Sequence, residues 1–485
     1  MAGNYEKSIY NQLMDVMARL DTVEKDHKLE TTQLKEEIST LKIENQHLRE
    51  ENKRLRDDND RLKSIINNNS SNTSLPPSSD EKSSKPANAY NGREKTNRKA
   101  GGQKGRKGTT LTKADIKAKL KAGNCRHELK EIGDPSAKTY VTKYVMDLDV
   151  TARITEVRIY ADKNGRISVP PEYRSDVTYG PNVKALVVAL YSEGVMSNDR
   201  IAAFLNAASN DGLDLSEGSV YHFCKTFSKS AESGIEHLET ELLNQAVVAT
   251  DATVVTVNGE QNYIRNFSTE RTVIYRAMKD KTISSLQELN FLKKFSGILV
   301  HDHETALYHF GTDHAECNVH IIRYLRKNTE ETQSKWSGRM IALLCEANKA
   351  KKALMVNGVT LFPVDSVTAY EDRYRELIRQ GREENKKTKN RYAKAEEKKL
   401  LNRLEKYSHN HLLFLYDFTV PFDDNMSERD LRKAKNRQKM AGGFRKDSGH
   451  QMYCAILTII ETLKRRKMAM IENIKKLFMG TPAIF

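Results

Sequence analysis

Three carboxylates stand out because each occupies a place where an acid is unexpected. Asp251 interrupts the apolar run "QAVVATDATVVTV" (245–257). An aspartate inside a buried strand is costly unless it binds something. Asp302 follows "GILV" in "SGILVHDHETALYHF", at the C-terminal end of a strand-like segment. Glu428 lies within "FDDNMSERDLRKAKNRQK" (422–439), which opens on acids and ends as a basic helix. Two aspartates from neighbouring strands can share a divalent cation, and a glutamate from a helix can complete such a set. Spacing alone leaves Glu428 open. Arg432, Lys435 and Lys439 fall at +4, +7 and +11 from it, so a Glu–Arg helix pair reads equally well. Aspartates at strand ends are also frequent in turns.

The elements around these acids have a readable order. After the Asp251 strand and "NGEQ", the segments "NYIRNFST" and "TVIYRAMK" read as two more strands. A helix, "TISSLQELNFLKKF", then leads to the strand that ends at Asp302. A hairpin, a third strand, a helix and a strand ending in Asp is the ribonuclease-H-like order, an α/β fold. Further on, "HLLFLYDFTVP" reads as a strand ending at Pro421, and Asp424 or Asn425 can cap the helix that carries Glu428.

The front of the chain has a different character. Leu34, Leu41, Leu48, Leu55 and Leu62 recur every seven residues as d positions, with Ile38, Asn45, Asn52, Asn59 and Ile66 at a. Consecutive Asn at a favours two strands in parallel register. The pairs Glu37–Lys42, Glu44–Arg49, Glu51–Arg56 and Asp58–Lys63 would all be attractive in a parallel homodimer. The polar, Pro-containing "NNNSSNTSLPPSSDEKSSKP" follows and reads as a disordered linker. Next comes "NRKAGGQKGRKG", whose cations Arg98, Lys99, Lys104, Arg106 and Lys107 suit DNA phosphates or a narrow minor groove. The segment 124–175 is rich in Val, Ile, Tyr and Thr and reads as short strands ("KTYVTKYVMDLDV", "ARITEVRIYAD", "GRISVPPEY"). Residues 176–244 read as helices, with "LSEGSVYHF" like the turn and second helix of a DNA-binding helix-turn-helix, and a plain helical bundle reads equally well.

The whole-chain totals agree with a DNA partner. Among 485 residues the net charge is +15 and 30% are charged, which favours a polyanion. The start has no signal-peptide pattern and no stretch of about 18 apolar residues occurs, so no membrane partner is expected. Five widely spaced cysteines do not suggest a disulfide framework, and a reducing cytoplasm fits.

Several motifs in order resemble one family. Asp424-Asn425-x-x-Glu428-Arg429-x-Leu431-Arg432, then "KMAGGFR" and "MYCAILTIIETLK", look like the C-terminal signature of the IS66-type insertion-sequence transposases. "NNNSSNTSLPPSSD" with "RKAGGQKGRKGTTL", "YGPNVKALVVALYSEGVMSNDRIAAFLN", "DATVVTVNGEQNYIRNF" and "HDHETALYHF…HAECNVHIIRYL" resemble the preceding blocks of that family, with Tyr263 where Trp is usual. The resemblance implies a DDE transposase with a ribonuclease-H-like core and Asp251, Asp302 and Glu428 as its catalytic, metal-holding triad. It implies two Mg²⁺ ions with Mn²⁺ able to substitute, DNA binding at the element's ends and at the target, and a bacterial, cytoplasmic, nucleoid-associated location. Element-encoded accessory proteins are candidate partners. On this reading Arg429, Arg432, Lys435 and Arg437 hold phosphates near the scissile bond, and Asp423, Asp424 and Asp430 become cap and surface residues. Ala122, Ala161 and Asn164 stand where the family commonly has zinc cysteines, leaving Cys125, so zinc is not expected. Cys317 and His320 have no second pair and are expected to pack near the core.

The expected domains are a coiled coil (1–66), a disordered and basic DNA-binding linker (67–123) and a degenerate zinc-binding-like β subdomain (124–175). A helical, helix-turn-helix-like part (176–244) precedes the core, whose two parts (245–330 and 411–485) flank a helical insertion (331–410). The alternative reading is a catalytically inactive, zipper-dimerised DNA-binding protein derived from a transposase.

Overall fold

The computed structural model of the chain describes residues 2–69, 72–73, 111–123, 125–132, 141–148 and 150–481. Two compact units emerge, and they are described separately. One comprises 1–89, 320–353 and 362–408, and the other 90–319, 354–361 and 409–485.

The second unit is organised around a five-stranded mixed sheet. Its strands are β1 (Val247–Val257), β2 (Glu260–Ser268), β3 (Val273–Met278), β4 (Ile298–His301) and β5 (Asp313–Glu316), in the order β3-β2-β1-β4-β5. The first three strands form an antiparallel meander, and β4 and β5 then add in parallel to β1. The β-branched composition of β1 suits a pleated surface. Its hairpin to β2 is made by Asn258 and Gly259, both at positive φ (51° and 82°), the conformation that a two-residue hairpin turn requires. The edge of β3 is covered by the amphipathic helix Asp447–Arg465. Thr458 Oγ1 accepts the Tyr275 N–H (2.9 Å), and Thr462 Oγ1 accepts that of Val273 (3.2 Å). The helix thus pairs an edge that would otherwise be open. Four helices (Pro181–Ser192, Asn198–Ala208, Glu217–Ser230 and Glu232–Leu243) share one core with the sheet, built on Val188, Ile201, Val220, Phe227 and Leu238.

The other unit is helical. The helix Ala2–Ile66 is continuous, and its C-terminal end packs on later helices through Ser64–Glu331 and Asp57–Arg391. Leu34, Leu41, Leu48, Leu55 and Leu62 are all exposed, and Asn52 Nδ2 bonds back to Leu48 O at 3.0 Å. Long helices also span Lys335–Val356, Val364–Lys387 and Arg391–Lys406. At their centre the buried Trp336 donates its indole N–H to Glu397 (2.8 Å).

Three expectations are corrected. "HLLFLYDFTVP" begins as the helix Ser408–Tyr416 and not as a strand. His411 to Phe414 and Leu415 are consecutively buried, so the segment lacks the one-sided period that marks a helix, and a short apolar run looks the same in either state. In 124–175, no strand forms among the described residues. The turn Asp162–Arg166 closes (Asp162 N–H to Arg166 O, 2.8 Å), yet Val145 and Ile154 are 92% and 95% exposed. Strand-like composition without a partner layer yields unpaired, extended chain. The expected helix after β3 is also split, into Ile283–Gln287 and Asn290–Lys294.

Candidate active site

Asp251 lies mid-way along β1, and Asp302 immediately follows β4. The parallel pairing sets Val247 opposite Ile298 and Ala249 opposite Val300. Continued for two residues, that register brings Asp251 level with Asp302 at the C-terminal end of β4. Glu428 is on the short helix Asn425–Asp430, which packs on β1 and β2. The basic stretch does not continue that helix. Leu431 interrupts it, and a second helix, Arg432–Ala441, carries the cations.

One buried residue joins these pieces. Asn266 pairs with Asp251 across the β1–β2 ladder. Its Oδ1 accepts the Asp251 N–H (3.0 Å) and the Ser427 hydroxyl (3.0 Å), while its Nδ2 donates to Ser427 O (2.9 Å). The amide thereby holds the helix of Glu428 against the strand of Asp251. Sequence reasoning missed Asn266. Its signal was the one that exposed Asp251, a polar residue inside a strand that is otherwise buried.

The second helix is set by the "GGF" turn. Gly443 adopts φ +110°, and a Cβ there would meet Thr256 O at 2.2 Å, so glycine is required. Phe444 N–H then bonds Thr256 O (2.7 Å), and Gln438 Oε1 accepts the Thr256 N–H (2.7 Å).

The acids expected to be cap and surface residues take three different places. Asp430 is half-buried in an ion pair with Arg465 and accepts from Ser268 Oγ (2.7 Å). Asp424 is 1% exposed and stands at the N-cap of the Glu428 helix without a side-chain cap bond. Asp423 provides the local turn instead, its Oδ1 accepting the Asn425 N–H at 3.2 Å. The surface expectation failed for Asp424 and Asp430 because spacing along one helix does not reveal that the sheet and the helix Asp447–Arg465 close over this segment.

Repulsion dominates the electrostatics. Burial, and then the charge of Asp302, push the Asp251 carboxyl up to about 6, with Glu428 adding. The Ala252 N–H (2.6 Å to Asp251 Oδ1) and Lys281 oppose that rise. Burial drives Asp424 well above the usual carboxylate range, helped by Asp251, Glu428 and Asp302, while Ser427 pulls the other way. Lys281 itself pairs with Glu304 (3.3 Å), which also pairs with the fully buried Arg265 beneath Thr250. On the far side of Asp302, His303 takes φ +76° and its Nδ1 lies 2.6 Å from Glu316. Tyr308 (2.7 Å) and His411 (3.2 Å) also reach that buried carboxylate.

Crowded oxygen donors of like charge suit a hard divalent cation. As the side chains stand, no three His, Cys, Asp or Glu among the described residues are disposed to hold one.

The model of the IS66 family of transposases matches residues 176–452. The chain belongs to that family. Its front part, 22–112, matches a family of unknown function, DUF6444. No curated protein matches the chain.

Within this IS66 transposase chain the proposed DNA contacts divide sharply. Arg429 and Arg432 are exposed and Lys435 is half-buried. Arg437 is 9% exposed, and its guanidinium lies over the Tyr191 ring at 4.8 Å and donates to Met196 O at 3.2 Å. It is a packing residue, enclosed by Tyr191, Phe444 and Tyr453. Arg98, Lys99, Lys104, Arg106 and Lys107 lie outside the described residues. Cys317 is buried, and its Sγ accepts the Asp424 N–H at 3.3 Å. His320 Nε2 lies 3.2 Å from Arg323. No helix among the described residues is long and apolar enough to cross a membrane.

Proposed function

We propose that the chain is a metal-dependent DDE transposase that binds the ends of its insertion sequence, cleaves there and transfers the 3′ ends to target DNA. One observation carries this reading. Asp251 and Asp302 sit level on neighbouring parallel strands, with the Glu428 helix tied to the same strands by Asn266. The order of the sheet, a three-stranded meander followed by parallel additions, supports a ribonuclease-H-like core. Asp251, Asp302 and Glu428 would hold two Mg²⁺ ions, or Mn²⁺, which when bound supply Lewis acidity to the attacking and the leaving oxygen of an in-line displacement.

The chain's own residues do the rest. Arg429 and Arg432, exposed beside Glu428, grip phosphates and set the register of the duplex. Asn266 keeps the spacing between the Glu428 helix and β1. Lys281, whose charge acts on Asp251, favours the ionised carboxylate that a cation needs. Two protomers pair through Leu34, Leu41, Leu48, Leu55 and Leu62, with Asn45, Asn52 and Asn59 setting parallel register, so that two element ends are brought together. The exposure of that stripe along one uninterrupted helix supports the pairing.

The test is Mg²⁺-dependent nicking of a duplex that carries an element end. Glu428→Gln and Asp251→Asn should each lower the rate by ~10³-fold or more while retaining binding. Nicking by Glu428→Gln at the wild-type rate would remove Glu428 from the triad. A wild-type chain that binds the duplex but never cuts it leaves the inactive DNA-binding protein as the reading.

A further inference from the structure

We infer that Asp424 is a fourth carboxylate of this site, a direct ligand of the divalent cation and not a helix cap. The inference rests on reading Asp251, Asp302 and Glu428 as a cation site, and it adds a residue outside that triad.

Position comes first. Asp424 O accepts the Glu428 N–H (3.1 Å), so the two acids lie one helical turn apart and on one side of the helix. The backbone of Asp424 is held from the opposite direction. Cys317 donates its N–H to His301 O (2.9 Å), the residue before Asp302, and its sulfur accepts the Asp424 N–H (3.3 Å). Asn318 N–H bonds Phe422 O (3.1 Å). A single cysteine therefore bridges the end of the Asp302 strand and Asp424. These latches hold the backbone of the segment against the end of the Asp302 strand.

Satisfaction comes second. Asp424 is 1% exposed, and its Oδ1 has no hydrogen-bond partner. A buried carboxylate oxygen left in that state is strongly unfavourable. The acidic groups acting on Asp424 are Asp251, Glu428 and Asp302. No cationic side chain is among the leading charges acting on Asp424, and a cation shared with the triad would compensate them. All four donors are carboxylate oxygens, the ligand type that Mg²⁺ and Mn²⁺ prefer. The bland competitor is a permanently neutral carboxylic acid that takes no part in binding.

Calorimetric titration of Mn²⁺ into the full-length chain separates the two, together with melting curves of the metal-free variants. Asp424→Asn keeps the shape and removes the charge. It should weaken Mn²⁺ binding by at least ~10-fold, and melt without metal at or above the wild-type temperature because a crowded acid has gone. Asp424→Asn binding Mn²⁺ like the wild type, while Asp251→Asn does not, overturns the role of Asp424 and leaves the triad intact. Wild-type affinity in both Asp251→Asn and Asp302→Asn, or no uptake by the wild-type chain, defeats the cation site itself. Should Asp424→Asn and Asp424→Ser both fail to fold, Asp424 is structural and the inference is overturned.

Discussion

Glu397 and Asp424 are each 1% exposed, and they have opposite fates. Glu397, in the helical unit, is met by five neutral donors. Asn328 (3.2 Å), Ser334 (2.6 Å) and Trp336 (2.8 Å) bond one oxygen, and Asn385 (2.8 Å) and Thr388 (3.0 Å) the other. Burial alone would raise its carboxyl, but these bonds together outweigh it and hold Glu397 below its ordinary value. Asp424 meets other acids and keeps one oxygen unpartnered, so its carboxyl is driven up. Equal burial thus means different things. A satisfied buried carboxylate organises its surroundings, whereas an unsatisfied one among like charges awaits something from outside the chain.

The strongest test of that contrast is Glu397→Ala, which strands five donors and opens a cavity. It should destabilise the chain by about 4 kcal/mol in urea unfolding, with Glu397→Gln costing only about 1–2 kcal/mol. If Glu397→Ala is silent while Asp424→Asn unfolds the chain, the contrast is inverted. Asn266→Ala sits between the two cases because Asn266 is satisfied yet serves the site. It should cost about 2 kcal/mol of stability and also slow cleavage by ~10–100-fold. An effect on stability with unchanged single-turnover cleavage would make it a purely structural clamp. The smallest effect concerns the cations, which show the same division. Arg432→Gln should lower the slope of log affinity against log salt by about 1. Arg437→Gln should leave that slope alone and lower stability by about 1–2 kcal/mol, since its guanidinium lies on Tyr191. Equal salt slopes for the two variants would erase the distinction.

Much of the sheet was legible because its signals are local. β1, its Asn-Gly turn, β2 and β3 lie where alternation and turn chemistry put them. The strand ending at Asp302 was equally visible. β5, "DHAE", was not, because three polar residues and one alanine carry no apolar period even though His314, Ala315 and Glu316 are buried. The helix Ser408–Tyr416 was misread because it is enclosed on nearly all sides. The strands expected in 124–175 failed for the converse reason, since β-prone residues without a partner layer have nothing to pair with.

By itself, the sequence determined the heptad stripe and the hairpin register that puts Asn266 beside Asp251. Each follows from local chemistry: a seven-residue period and a two-residue turn. Tertiary structure alone decided which polar groups would be satisfied. Asp423, Asp424 and Asp430 are near neighbours of the same type, yet one caps a turn, one is buried with a carboxylate oxygen unpartnered and one is locked to Arg465. Burial, and the partners met there, depend on which distant strand and helix close over each residue, and no local pattern encodes that.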